Sequence, residues 1–384
     1  LKRRTLLRGA GASLSLAPLA VWGARPVLAQ TFSKSAGPVL YAARADMMGQ
    51  FGISAVDAEG EILFDLPLPE RAHDSVIQPQ GPHIAVISRR PGRHIYLINR
   101  AQGRAEGQIE ALPEHHFYGH AAYSLEGDQL FVPEHNLAKE CTQIGLYDAK
   151  QAYKRIGHWD LPGPTKAIGA HELVLSPDGK ELCLALGGIL TRPETGRQKH
   201  NLDTMRPALI RLDRERGQVQ QWLEPPRSLH QASIRHLDVN AAGDIAIGLQ
   251  YQGSKTDKVP LVAVHKKGEA ALRFLTAPDA VQAAMTQYCG SVRFDRSGRF
   301  FAVSHPRGGL ISFWSDTDAK TVQFSHDVAL EDGCGVAASA VVGGFFLTGG
   351  LGQIQHHHAP SQQTDSIDSL ALMTWRWDNH LTLS

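Results

Sequence analysis

A unit of four short strands recurs along this chain, and that repeat limits the possible folds more than any other feature. Its clearest copy begins at His171, where residues 171–175 read as a short apolar strand. Ser176-Pro177-Asp178-Gly179-Lys180 follows as a tight turn, with proline pre-setting φ and glycine accepting a positive φ. Residues 181–186 read as a second strand, and after a long insertion 208–213 and 218–223 supply a third and a fourth. Further copies open at His73, His120, His236, Cys289 and Cys334. Their turns are marked by Gln80-Gly81, Glu126-Gly127-Asp128, Ala242-Gly243-Asp244 and Arg296-Ser297-Gly298-Arg299. In the last copy, residues 345–348 and 370–377 are the expected later strands. Residues 39–44, 52–57 and 61–66 match the last three strands of a unit without its first. Four antiparallel strands repeated in this way make propeller blades. The expected fold is therefore an all-β, seven-bladed β-propeller with four-stranded antiparallel blades. The segment 380–384 should close the ring, because closure removes exposed sheet edges. Six blades, eight blades or a β-sandwich are the alternatives, and the regular turn-bearing repeat disfavours the sandwich.

The first residues read as an export signal. Arg3-Arg4 precedes apolar residues, an alanine- and leucine-rich stretch runs from 9 to 23, and Val27-Leu28-Ala29 fits a small-x-small cleavage site. This order is that of a twin-arginine (Tat) signal peptide over residues 1–29, leaving 30–384 as one propeller domain in the periplasm. The apolar stretch is too short to span a bilayer, which takes about 20 residues. No other run is long enough, so no transmembrane segment is expected in the mature chain. Basic and acidic side chains nearly balance, 39 against 38, and no basic block or aromatic-basic stripe occurs. Nucleic acid is therefore not an expected partner. No Gly-x-Gly-x-x-Gly follows a strand, and no Walker loop or Gly-x-Ser-x-Gly elbow is present. The four cysteines, Cys141, Cys183, Cys289 and Cys334, form no Cys-x-x-Cys pair. Covalent haem of the c type and a thioredoxin-like site are thereby disfavoured. Disulfides are permitted in the periplasm, and a bridge between Cys289 and Cys334 on adjacent blades is one option.

The inner strand of a blade starts at one mouth of the central channel. His73, His120, His171 and His236 stand there in four units, and Cys289 and Cys334 in two more. Several strands can each offer one ligand at such a mouth, and imidazole suits copper, iron, zinc and nickel. These four histidines are the candidate metal ligands, and iron or copper is the suspected metal ion. Ligating histidines need an acceptor for the second ring nitrogen, for which Asp74, Glu172 and Asp238 are local candidates. Two other readings stand beside this one: a polar funnel with Arg71 and Arg235 for an anionic ligand, and histidines that only bond the neighbouring backbone. His115-His116 precedes His120 and could extend the site, whereas His356-His357-His358 reads as a polar, solvated loop. The insertion 187–207 mixes glycine, charge and methionine and should fold over one mouth of the channel.

The run Gly187-Gly188-Ile189, Pro193, Gly196-Arg197, Lys199, Asn201, Asp203, Met205 and Pro207 carries a resemblance. So do Ser233-Ile234-Arg235-His236, Tyr288 with Gly290-Ser291, and Ser304 with Pro306-Arg307-Gly308-Gly309. With these motifs the chain resembles an uncharacterised family of Tat-exported periplasmic proteins encoded beside imelysin-type, iron-regulated proteins and a di-haem oxidoreductase-like protein. The resemblance implies a propeller similar to the quinoprotein amine dehydrogenase β-chain. It also implies a role in iron or copper acquisition, with imelysin-like or haem-containing periplasmic proteins as partners. Carried over by motif are Arg235, His236, Gly187, Gly188, Arg197, Lys199 and Met205. Of these, Arg235, Arg197 and Lys199 are the candidate cofactor-binding side chains. The function expected is that of a metal-acquisition propeller binding a metal or metal-loaded partner at a histidine-lined mouth. A metal- or cofactor-dependent oxidoreductase and a metal-free interaction scaffold are the alternatives.

Overall fold

A computed structural model describes residues 37–316 and 321–384. The expected signal peptide, residues 1–29, lies outside them. The tight turns form as their side chains dictate. The Ser176 hydroxyl donates to Asp178 at 2.7 Å and accepts the Glu181 amide at 2.9 Å, while Gly179 takes φ +69°. Ser124 with Asp128 repeats the device, and the Asn240 side chain accepts the Ala242 and Asp244 amides. Each turn returns the chain antiparallel to itself.

Seven sheets result, each built on the antiparallel path of four strands that the repeat predicts. In the fourth blade the order is Ala170–Leu175, Glu181–Leu186, Ala208–Asp213 and Val219–Leu223. Strands that lie between two neighbours are almost wholly buried, as in His83–Ser88. Outer strands such as Val322–Ala329 alternate between half-buried and exposed positions, because one face meets solvent. Apolar residues from each pair of adjacent blades form a shared core, and there are seven such cores among the described residues. Each fully buried leucine, isoleucine or phenylalanine in them contributes roughly 1.5–3 kcal/mol of burial. The innermost strands touch one another in a closed cycle.

Ring closure is made by the chain's end, as expected, but with more of it. Thr382–Leu383 pairs with Leu40 and Tyr41, and Trp375–Trp377 pairs with Arg44, Ala45 and Asp46. Residues 370–377 therefore do not complete the seventh blade. Its fourth strand is Gln363–Ser366, and Trp375–Trp377 belongs to the first blade. The triple histidine is likewise not a solvated loop. Ile354–His358 is a strand, with His357 fully buried 4.4 Å from the Phe313 ring. Asp279–Ala284 forms a short helix within a loop. The four cysteines are unpaired, so the Cys289–Cys334 bridge does not form.

Candidate functional site: a five-histidine cluster beneath a cationic cleft

The innermost strands carry a β-bulge at their entrance in blades 2, 4, 5 and 7, where two residues oppose one. A bulge re-aims side chains. The four predicted histidines do not share one repeat position. His73 and His171 precede the turn residues Gln78 and Ser176 by five places, whereas His120 and His236 precede Ser124 and Asn240 by four. The bulged backbone nevertheless brings all four together. Ring centroids lie 4.9 Å apart for His73 and His120, 5.4 Å for His73 and His171, and 4.8 Å for both His120–His171 and His171–His236.

A fifth histidine joins them. His380, just before the closing strand Thr382–Leu383, lies 4.7 Å from His73, 4.5 Å from His120 and 5.0 Å from His236. Sequence reasoning placed it in the closing segment but not in the ring. The signal was available, since His380 stands four places before Ser384, as His120 does before Ser124. Gly119 makes room: at φ +109°, a Cβ there would lie 2.7 Å from His73 Cδ2.

Buried carboxylates hold three of these rings. His73 Nδ1 is 3.1 Å from Asp378 Oδ1, His120 Nδ1 is 2.8 Å from Asp74 Oδ2, and His236 Nδ1 is 3.1 Å from Glu172 Oε2. Asp74 and Glu172 were anticipated and Asp378 was missed. Asp238 does something else, accepting the Phe294 amide at 2.7 Å. A carboxylate at Nδ1 fixes the proton there and leaves Nε2 as a lone-pair donor. The Nε2 atoms of His73, His120 and His236, and both ring nitrogens of His380, are buried and have no hydrogen-bond partner. Leaving such an atom unsatisfied costs about 1–3 kcal/mol, and here several share one small volume.

Burial favours the ligating, neutral form of His73, His171, His236 and His380. Burial pulls His73 down to about 4, against the opposing pull of Asp378. Burial and the neighbouring imidazoles pull His171 and His380 well below the ordinary histidine value, and burial also lowers His236. Glu172 and Asp378 stay ionised. Burial alone would raise Glu172, but Arg293, 3.0 Å away, and the His236 bond outweigh it. For Asp378 the same balance is struck by His73, Arg71 and Arg89. Arg71 thus pairs with Asp378 at 2.5 Å rather than lining an anion funnel.

Donor atoms of His73, His120 and His171, of His120, His236 and His380, and of Asp74, His120, Glu172 and His380 fall within 4.8 Å of one another. Opposed nitrogens on a metal at about 2.1 Å are about 4.2 Å apart. A few tenths of an ångström of movement per ring therefore brings any one of these groups within reach of an ion.

The two cysteines do not join. The Cys289 thiol contacts the Leu261 carbonyl at 3.3 Å and Cys334 the Thr348 carbonyl at 3.4 Å, both within blade cores. Ser291 and Gly335 occupy the equivalents of His236 in those blades. His116 is also elsewhere, in the strand His115–Phe117, stacked 5.0 Å from His135.

Above the cluster opens a cavity of about 940 Å³, with His73 and His171 in its wall. The insertion covers it as anticipated. Asn201 ties the insertion to itself through the Leu190 amide and the Gly188 carbonyl, at 2.7 and 2.8 Å. Arg192 to Glu140, Thr191 with Arg90, and Lys199 to Gln252 anchor it to three other blades. The predicted trio Arg235, Arg197 and Lys199 does converge here, and so do Tyr288 and Arg307 of the same motif set. Met205 does not: it is fully buried and lines a separate cavity.

Residues 66–384 match a family described as "Protein of unknown function (DUF1513)". No curated protein matches the sequence. Among solved structures, the periplasmic gluconolactonase PpgL of Pseudomonas aeruginosa aligns with a TM-score of 0.61 at 15% identity, over 90% of this chain and 99% of that one. Hydrazine synthase of Kuenenia stuttgartiensis aligns at 0.58 and 13%, over 83% and 90%. A functionally unknown protein from Desulfotomaculum acetoxidans DSM 771 aligns at 0.59 and 9%, over 89% and 98%. At such identities these likenesses speak to the propeller fold alone.

Proposed function

Since the chain belongs to the DUF1513 family, whose function is unknown, its role must be read from its own site, and we propose that it is a metal-binding propeller. The five axial histidines would hold one transition-metal ion. The observation that carries this reading is the set of buried, unpartnered Nε2 atoms whose Nδ1 partners are buried carboxylates. That pairing is how proteins orient histidine ligands. Imidazole donors suit iron and copper, which the resemblance to iron-associated exported proteins favours, although zinc and nickel fit the donor set as well. The signal-like N-terminus supports a periplasmic location, and with it a role in metal acquisition, alone or with an imelysin-like or haem-containing partner.

A metal-dependent oxidoreductase is the second reading. One observation favours it: His73 and His171 line the cleft, so a small molecule can reach the ligand set from solvent.

Elemental analysis of the untagged mature protein tests the proposal, beside a His73/His120/His171/His236→Ala variant checked for folding by circular dichroism. About one iron or copper per chain, lost in a folded variant, is the expected result. No metal in either protein, even after reconstitution under reducing and oxidising conditions, overturns it and leaves the interaction scaffold.

A further inference from the structure

The cleft above the histidines has a charge imbalance that the metal site does not explain. Its wall holds eight arginines and lysines against two carboxylates, in a chain whose net charge is only +1. Those carboxylates are already engaged, Asp257 by the Tyr251 hydroxyl at 2.8 Å and Asp279 by Lys258 at 3.2 Å. At the histidine end stand Arg89, Arg90, Arg197, Lys199, Arg235 and Arg307.

Only one of these six has an acidic partner among the described residues: Arg89, 3.6 Å from Asp378, which Arg71 and His73 also hold. Arg90 meets the Thr191 hydroxyl, Lys199 donates to the Gln252 side-chain oxygen Oε1, and Arg307 stacks 4.1 Å from the Tyr288 ring. Arg235 has a buried Nε with no acceptor. Burial and mutual repulsion bear on the group, lowering Lys199 through Arg235 and Arg307, and Arg235, to about 10, through Arg90. Packing like charges into a half-enclosed site opposes folding, so the arrangement makes sense as a binding surface rather than a stabilising one.

The backbone is shaped to admit these side chains. A Cβ at Gly187 would sit 2.9 Å from Ser233 Oγ and 3.4 Å from Arg235 Cζ. The insertion that brings in Arg197 and Lys199 is anchored at Arg192 and Thr191, so both cations are held over the cleft.

We propose that this cleft binds a small polyanion carrying two or more carboxylate or phosphate groups, clamped by Arg197, Arg235 and Arg307. Planar guanidinium forks recognise both oxyanions in two-point contacts. A volume near 940 Å³ is of the size that encloses an organic molecule, well beyond a single inorganic ion. The inference stands on the cations of the cleft and does not require the metal reading to hold.

Calorimetric titration of the full mature chain with citrate and, separately, with pyrophosphate tests it and distinguishes the two chemistries. Arg197→Gln and Arg307→Gln should each weaken the preferred anion by about tenfold or more, as loss of a charge-assisted bond does. Arg206→Gln is the control. It lies on the same insertion but pairs with Glu224 beside the separate cavity that Met205 lines, and it should bind as the wild type does. If Arg235→Gln fails to fold, the two other clamp variants still decide. Equal affinity in Arg197→Gln, Arg307→Gln and wild type overturns the proposal. So does an equal loss in Arg206→Gln, or no binding of either anion at millimolar concentration. Iron and copper content of the wild-type protein is scored separately, so failure of the metal reading is not mistaken for failure of this one.

Discussion

Five blades place a histidine on the axis and two do not, although all seven are built on the same four-stranded path. His380, His73, His120, His171 and His236 come from the first five blades. In the sixth and seventh, Gly290-Ser291 and Cys334-Gly335 stand at the corresponding places. Neighbours fill the space there. A Cβ at Gly335 would lie 2.5 Å from Thr348 Oγ1 and 2.9 Å from Leu381 Cβ, and one at Gly290 would lie 2.7 Å from Pro306 Cγ. The propeller therefore closes without axial imidazoles. Their presence in the other arc is a matter of chemistry rather than of folding. The bare arc has a use of its own, since Tyr288 and Arg307 beside it form a wall of the cleft.

The sharpest way to break this comparison is at the histidine that pattern reading left out. His380→Ala should abolish stoichiometric metal as fully as His236→Ala does. The affinity loss should exceed about 100-fold, the upper end of what removing a mere supporting group costs. Both of its ring nitrogens are free within the cluster, and it touches three of the other four rings. Metal content and a competition titration on the folded variant measure it. A variant that retains full affinity would confine the ligands to His73, His120, His171 and His236 and make His380 a packing residue.

A smaller effect is expected one bond further out. Asp74→Asn keeps the size of the side chain at 2.8 Å from His120 Nδ1 but removes its charge. It should lower metal affinity by about 10- to 100-fold. Asp74 has no ion-pair partner other than His120 among the described residues, whereas Glu172 also holds Arg293 and Asp378 also holds Arg71. Asp74 is thus the cleanest of the three to change, because no buried arginine is orphaned. Unchanged affinity would mean that the carboxylate only packs against the ring.

The two arcs also differ in how legible they were. The repeat was readable because its turns use side-chain chemistry that cannot serve elsewhere, such as Ser176-Pro177-Asp178-Gly179. Four of the five clustered histidines followed from it. His380 and Asp378 did not, because the closing strand has only two paired residues, Thr382 and Leu383, and no turn of its own to set the register. The bulges were invisible as well. His73 and His171 also stand one place from His120 and His236 in the repeat, and periodicity cannot see that the fold brings the four rings together. His356-His357-His358 looked polar by composition, yet His357 is buried beside Phe313 and His326, its Nε2 2.9 Å from that of His326.

Orientation was the least legible property, and Cys334 tests it with the smallest expected effect. By position Cys334 matches His73 and His171, which made it a candidate for the ring. Its thiol instead turns into the blade core, against the Thr348 carbonyl at 3.4 Å and the Trp377 carbonyl at 3.8 Å. Burial pushes it up to about 12, so at neutral pH it carries its proton, and a thiol must lose that proton to ligate a metal. Cys334→Ala should therefore leave metal affinity within about twofold of wild type. Its cost should fall on stability, at roughly 1 kcal/mol or somewhat more for a buried side chain cut back by one atom. Urea unfolding and a metal competition titration, run on the same preparation, separate the two. A loss of affinity by tenfold or more would show that the thiol reaches the axis when metal binds. The boundary between the two arcs would then fall between the sixth and seventh blades, leaving only the sixth without a ligand.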